Sequence, residues 1–451
     1  MFGSRSRSER FASWVLLAGI ISCSVFLVIV FSRYRFFATT PRVVFLYVAP
    51  TLVLAMLAGS LALPPRHKVN MALSFSSVVV ALYAVEIVLS LRTSPQTLVG
   101  VAEALGSTDR RTRLEVVEQL REEGVQAYPS LSAWVLRRLT VRLDGEVIMP
   151  LTPGLAGSTV VSCQEADGWM VYDTDEHGFN NPPGIWDGAP VDIVLIGDSY
   201  TQGECVPPAE TMAGRIRNYR PATLNLGVTG AGPLFELAVL REFGPDIQPR
   251  LVFWVYFEDN DLSDLRSEIA NPILRRYLED GYSQGSRRHQ AAIDEQLVML
   301  HDSMMRDARQ KVEEGTVSVN PGDHLKAVVA LDNLRGIFGL GLTPPTAVAA
   351  WFPQILEAAK RTVESWGGEL HLVYLPTYSR YTFLGPMQIE GRAEVLSLAS
   401  RLGIPVVDMH EEFKSLEDPQ KMWVHPRGHL GSQGYAAVAE AILEAISGPR
   451  L

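Results

Sequence analysis

Three apolar stretches fill the first 91 residues: Phe11 to Phe31, Val43 to Leu63 and Met71 to Leu91. Each runs about 20 residues, enough for a helix to cross a hydrocarbon core of about 30 Å. In lipid every backbone N–H and C=O must find its partner within the protein, so such a stretch has the helix as its only single-segment solution. A cleavable signal peptide is the rival for the first, but its apolar part is too long and two more stretches follow. Short connections, Ser32 to Arg42 and Pro64 to Asn70, predict an antiparallel three-helix membrane anchor over residues 1–93. Glu86 is the one ionisable residue at depth; close to a helix end, such a residue more often reaches the interface than marks a function. Arg5, Arg7, Arg10, Arg66 and Lys68 on one side oppose Arg33, Arg35, Arg42 and Arg92 on the other. That bias favours an inner-membrane protein with its N-terminus inside and its soluble part extracytoplasmic.

Residues 94–146 read as a helical connector, with Leu114, Val117 and Leu120 at helical spacing between Asp109 and Glu123. From residue 147 to 451 short β-rich runs alternate with amphipathic segments. Val191–Ile196, Leu251–Phe257, Leu370–Leu375 and Ile404–Val407 are buried-strand runs; Pro353–Trp366 and Glu394–Leu402 are helical. This alternation predicts an α/β fold, a parallel sheet with helices on both faces. The polar stretch from about residue 263 to 342 breaks the rhythm and reads as a helical insertion. The net charge is -10 and the basic residues form no long run, so nucleic acid is not an expected partner. Cys23, Cys163 and Cys205 lack the close spacing of a zinc site, and no cofactor or metal is expected. Cys163 and Cys205 are either free thiols or, if the soluble part is extracytoplasmic, one bridge.

Four pieces of the soluble part carry chemistry. The run Val191-Asp-Ile-Val-Leu-Ile-Gly197-Asp198-Ser199 drives a buried strand into a tight turn ending on serine. A serine hydroxyl attacks only when a base takes its proton and donors hold the oxyanion. Asp198 and Ser199 can equally well cap a helix. Asn225-Leu-Gly227-Val-Thr-Gly230-Ala-Gly232 follows the short strand Ala222–Leu226, and its glycines allow close backbone approach to a ligand. Asn260, after the apolar strand ending at Phe257, offers either an amide donor or a cap. His429 precedes an amphipathic C-terminal helix, with Gly434 five residues on, and imidazole has the right basicity to act on serine.

In this order the four pieces resemble the four blocks of the SGNH (GDSL-type) hydrolase superfamily, over roughly Asp173 to Ser447 apart from the insertion. The resemblance implies a flavodoxin-like three-layer α/β/α sandwich. It also implies Ser199 as nucleophile, His429 as base, and an oxyanion hole from the Ser199 N–H, the Gly230 N–H and the Asn260 side chain. The stretch Thr174–Pro182 resembles lead-in sequences of membrane-linked bacterial members. Two departures stand out. Glu258 occupies the third block's usual glycine position. Pro426 and Arg427 occupy the positions where an aspartate normally precedes the histidine. His425 competes with His429 as base, and Asp408 is a candidate orienting acid; without one the site is a Ser–His dyad. The expected activity is that of a membrane-anchored serine esterase or O-acyltransferase on O-acetyl or related esters of an envelope or exported glycan, working alone or with a partner protein. Alternatives are hydrolysis of lipid esters, or a non-catalytic glycan-binding or assembly module. Tyr378, Arg380 and Tyr381, and the insertion, are candidates to shape the substrate pocket.

Overall fold

Alternate residues along the central strands are buried in two different cores, and this period-two division builds the fold. In the computed structural model the sheet strands are β1 (Ile193–Gly197), β2 (Thr223–Asn225), β3 (Leu251–Phe257), β4 (Glu369–Leu375) and β5 (Val406–Asp408). Val194, Ile196, Val252, Trp254, Tyr256, Leu372 and Tyr374 face one core, with the helices Pro233–Ile247, Phe352–Glu364 and Glu390–Arg401. Ile193, Leu195, Leu251, Phe253, Val255, Val373 and Leu375 face the other, with Met212–Arg217, Met409–Lys414 and Ser432–Ser447. A strand buried on both faces must be apolar throughout, as all seven residues of β3 are. Every pairing in this sheet is parallel, in the order β5-β4-β3-β1-β2. Read from the β2 edge, this is the flavodoxin-like order 2-1-3-4-5. The expected α/β/α layering with a parallel sheet is present. Its order reverses at β1, and Ser199 and Asn260 follow the carboxyl ends of β1 and β3, the part of such a sheet where ligands generally bind.

The structure describes residues 6–34, 44–92, 109, 111–143, 145–164, 168–188, 190–314, 321–337, 350–382, 390–425 and 428–447. The chain divides into two compact units. One comprises Met1–Thr93, Val319–Pro345 and Thr382–Gln388; the other comprises Ser94–Ser318, Thr346–Tyr381 and Ile389–Leu451. The connector stretch 94–146 thus falls inside the second unit, and the polar stretch 263–342 is divided between the two. Within the second unit, Met305 and Ala308 of the Gln290–Glu313 helix close a small core with Leu114, Val116 and Val117.

Among the described residues of the first unit, two helices are long and apolar enough to cross a membrane, Arg7–Ser32 and Pro65–Ser90. Three were expected. The middle apolar stretch forms a shorter helix over Leu46–Ser60, where π turns give way to α turns just before Pro50. Pro64 and Pro65 then start the next helix. Glu86 is fully buried rather than reaching outward: its carboxylate accepts the backbone N–H of Asn333 and of Leu334, each at 2.9 Å. It thereby caps the first turn of the Asp332–Ile337 helix, whose N–H groups have no intrahelical acceptor.

Candidate active site

Gly197 ends β1 with φ at +153°, and a Cβ there would lie 2.2 Å from Thr201 Oγ1 and 2.8 Å from the Val255 carbonyl oxygen. Only glycine lets the strand turn this sharply into the short helix Ser199–Gln202. Asp198 is its N-cap, accepting the Tyr200 N–H at 2.9 Å. Ser199, 5% exposed, is thus held at the first helical position. Its Oγ lies 2.9 Å from His429 Nε2.

His429 sits on a tightly fastened loop. Its carbonyl accepts the Val424 N–H at 2.9 Å, Trp423 and Leu430 form a β-bridge, and the Gly431 N–H reaches the Met422 carbonyl at 2.8 Å. The Tyr200 ring lies 5.0 Å from the imidazole, and its hydroxyl donates to the Gly428 carbonyl at 3.3 Å. At Nδ1 the described neighbour is Cys205 Sγ, 3.5 Å away. Cys205 is bonded to Cys163 in a disulfide. Its backbone is left-handed, with φ at +71°.

The glycine-rich loop runs along the serine turn. A Cβ on Gly227 would lie 2.2 Å from the Gln202 nitrogen, so a side chain there would push the two segments apart. The Val228 N–H donates to the Gly197 carbonyl at 3.0 Å, and the Thr229 N–H to Gln202 Oε1 at 2.7 Å. Gly230 takes a left-handed φ of +69° against the Trp134 ring. Asn260 Nδ2 donates to Asp198 Oδ2 at 3.2 Å. An amide NH2 has two donors and Asp198 takes one. Among the described residues Asn260 Oδ1 is buried without a partner, so the amide is fixed through its nitrogen.

Beneath the site lies a set of buried carboxyls. Burial pushes Asp198 up to about 6, against the opposing pull of the Tyr200 N–H, the Asn260 amide and His429. Asp264, held by the Trp134 indole N–H at 2.9 Å, is likewise raised by burial to about 6. Glu268 is raised by burial to about 7. Its carboxylate accepts the Gly232, Leu234 and Phe235 N–H groups and so caps the Pro233–Ile247 helix.

Other sequence candidates are engaged elsewhere. Asp408, proposed to orient His429, instead pairs with Arg392 and accepts the His410 N–H at 3.1 Å. The nitrogen on Ser199 Oγ belongs to His429 and not to His425. Pro426 and Arg427 lie outside the described residues. Glu258, in the place of the family glycine, takes the Thr377 N–H at 2.7 Å, the Tyr374 hydroxyl and the Arg380 guanidinium. Arg380 is spent on that pair, and Tyr381 on His410 Nδ1 at 3.1 Å. The lead-in Thr174–Pro182 is a buttress. Asp175 accepts the His177 and Phe179 N–H groups, each at 2.9 Å, and Asn181 Nδ2 at 2.7 Å. Asn180 and Asn181 reach on to the carbonyls of Gln202 and Asn225, each at 2.8 Å.

The residue that sequence reasoning missed is Glu204. It is 8% exposed, accepts the Thr229 hydroxyl at 2.6 Å and the Ser162 hydroxyl at 3.3 Å, and places Oε2 3.5 Å from His429 Nε2. Donor atoms of Cys163, Glu204, Cys205 and His429 lie within 4.8 Å of one another. The two sulfurs are bonded to each other, so the thiolates a metal takes are not on offer.

No protein-family model and no curated protein sequence matches the chain. Solved structures do. A lipolytic protein of the G-D-S-L family from Veillonella parvula is 13% identical, the match covering 58% of this chain and 100% of that one, with a TM-score of 0.33. A lipase/acylhydrolase from Enterococcus faecalis is 14% identical, covering 58% and 99%, at 0.33. An acetyl xylan esterase is 11% identical, covering 57% and 100%, at 0.31. Likenesses this distant leave the chemistry to be argued from the site's own geometry.

Proposed function

We propose that the chain is a membrane-anchored serine hydrolase or O-acyltransferase of the SGNH type, with Ser199 as nucleophile and His429 as base. One observation carries this: His429 Nε2 stands 2.9 Å from Ser199 Oγ at the carboxyl end of a parallel strand. That is hydrogen-bond reach for a general base. The Oγ–carbon bond forms as the Oγ proton passes to Nε2 and the carbonyl electron pair moves onto oxygen. The Ser199 N–H, the Gly230 N–H and the second N–H of Asn260 receive that oxyanion. When the intermediate collapses, Nε2 returns the proton to the departing alkoxide and the acyl group stays on Ser199. Water then releases the acid, or an acceptor hydroxyl takes the acyl group.

Two long apolar helices near the N-terminus support the anchor, and a disulfide beside the site fits an extracytoplasmic, oxidising compartment. Together with the family resemblance, these features favour O-acetyl or related esters of an envelope or exported glycan as the substrate class we propose. The test is a fluorophosphonate probe on the detergent-solubilised full chain, followed by an ester panel of short acyl sugars and long-chain lipids. Wild-type protein labels at Ser199, and Ser199→Ala abolishes labelling and lowers turnover by at least about 10³-fold. Wild-type protein that neither labels nor cleaves any ester in the panel refutes the reading.

A further inference from the structure

Pro426 and Arg427 stand where an aspartate normally precedes the family's histidine, and Cys205 Sγ lies 3.5 Å from His429 Nδ1. A carboxylate is nonetheless beside the ring. Glu204 Oε2 lies 3.5 Å from Nε2, the nitrogen that gains a proton when Ser199 attacks. We propose that Glu204 is the positioning residue that stabilises the His429 imidazolium, acting from the Nε2 side. The inference rests on the Ser199–His429 reading and adds a carboxylate to it.

Glu204 is built in for this. Its other oxygen is held by the Thr229 and Ser162 hydroxyls, and its backbone carbonyl accepts the Tyr435 hydroxyl at 3.1 Å. The next residue is tied by the disulfide to Cys163. With Oε1 so anchored, Oε2 is aimed at the imidazole. Asp198 is within electrostatic reach of His429, and Tyr200 packs on its ring. Arg113, whose buried Nε has no hydrogen-bond partner among the described residues, and Tyr172 are within electrostatic reach of Glu204. An anion within about 4 to 6 Å of a cation shifts its titration by about one to three pH units. The carboxylate therefore lets His429 hold the Ser199 proton through the tetrahedral intermediate.

The experiment compares wild type, Glu204→Gln and Glu204→Asp as full-length protein in detergent, reading kcat/KM against pH on one short-chain ester. Glutamine can still accept from Thr229 and Ser162, so packing is kept while charge is lost. In Glu204→Gln the acid limb of kcat/KM moves down by about one pH unit or more. Asp198 remains in place, so the shift reads the Glu204 share alone. Turnover falls about 10- to 100-fold with KM little changed, and Ser199 still takes the fluorophosphonate label. Glu204→Asp keeps the charge at a slightly greater distance and gives an intermediate limb. An acid limb unmoved in both variants, in protein that still labels and melts as wild type does, overturns the proposal and leaves the Ser199–His429 reading standing. If Glu204→Gln does not fold, Glu204→Asp decides: recovery of the wild-type limb supports the proposal, and activity lost with no limb shift overturns it. Wild-type protein with neither labelling nor turnover would instead remove the parent reading.

Discussion

Arg380→Met should be among the most destabilising single changes in the second unit. The Arg380 and Glu258 side chains are only 9% and 7% exposed, so the pair sits out of water. Glu258 also accepts the Thr377 N–H at 2.7 Å and the Tyr374 hydroxyl. Removing Arg380 leaves a buried carboxylate with two neutral donors and without its guanidinium partner. Breaking a buried pair from one side costs about 3–5 kcal/mol. The two remaining donors, each worth about 1.5–3 kcal/mol to a charged acceptor, hold the cost near 3 kcal/mol. At about 2–4 °C per kcal/mol, Tm falls by roughly 6–12 °C. Tryptophan fluorescence on heating the detergent-solubilised chain reads this. The double variant Glu258→Leu/Arg380→Met strands no charge and should melt above Arg380→Met alone. Because Asn260 lies two residues beyond Glu258, turnover below Tm should also fall, by up to about 10²-fold if the amide moves about 1 Å. An Arg380→Met protein melting within roughly 2 °C of wild type would refute the buried-pair argument.

Two further outcomes follow from the site's surroundings. The Cys163–Cys205 bridge closes a 42-residue separation, worth about 4 kcal/mol by loop-closure entropy. Reduction should lower Tm on the order of 10 °C and depress turnover, since Cys205 faces His429 Nδ1; full activity in dithiothreitol would contradict this. The buried carboxyls give the stability a pH dependence of definite sign. Asp198 and Asp264 titrate in the folded chain at about 6 against an ordinary 3.8, and Glu268 at about 7 against 4.5. The folded state thus keeps protons that the unfolded chain releases, and stability is lost as pH rises from about 4 to 7. Tm should therefore rise when pH is lowered from 7.5 to 5.5, and a monotonic fall over that range would show these groups do not dominate.

The central sheet was legible because its signal is local. A strand buried on both faces needs an unbroken apolar run, and Leu251–Phe257 is such a run from end to end. The other strands differ by a residue or two at their ends: Val191–Ile196 in sequence is Ile193–Gly197 in space, and Ile404–Val407 is Val406–Asp408. Turn glycines are legible for the same reason, since the constraint at Gly197 comes from residues within a few positions and from one strand neighbour. Val43–Leu63 has the apolarity of a full span, yet among the described residues the helix it forms ends at Ser60, before Pro64 and Pro65 start the next one, a stop that composition alone does not register.

What composition and spacing do not carry is a partner brought from far along the chain. Glu86 is read alone as a lone acid in an apolar helix, and nothing near it announces that Asn333 and Leu334 will present N–H groups to it. Glu204 is more instructive. It follows Ser199 by five residues in a stretch whose interest is the serine, and its neighbours of consequence, Ser162, Thr229 and His429, come from three separate segments. A search for the orienting acid by position before the histidine ends on Pro426 and Arg427, and by strand end on Asp408. The fold delivers a carboxylate from the nucleophile's own turn instead. A left-handed residue at Cys205 and the bridge to Cys163 redirect the chain there, so the acid that sequence position assigns to the histidine's loop sits on the serine's side of the ring.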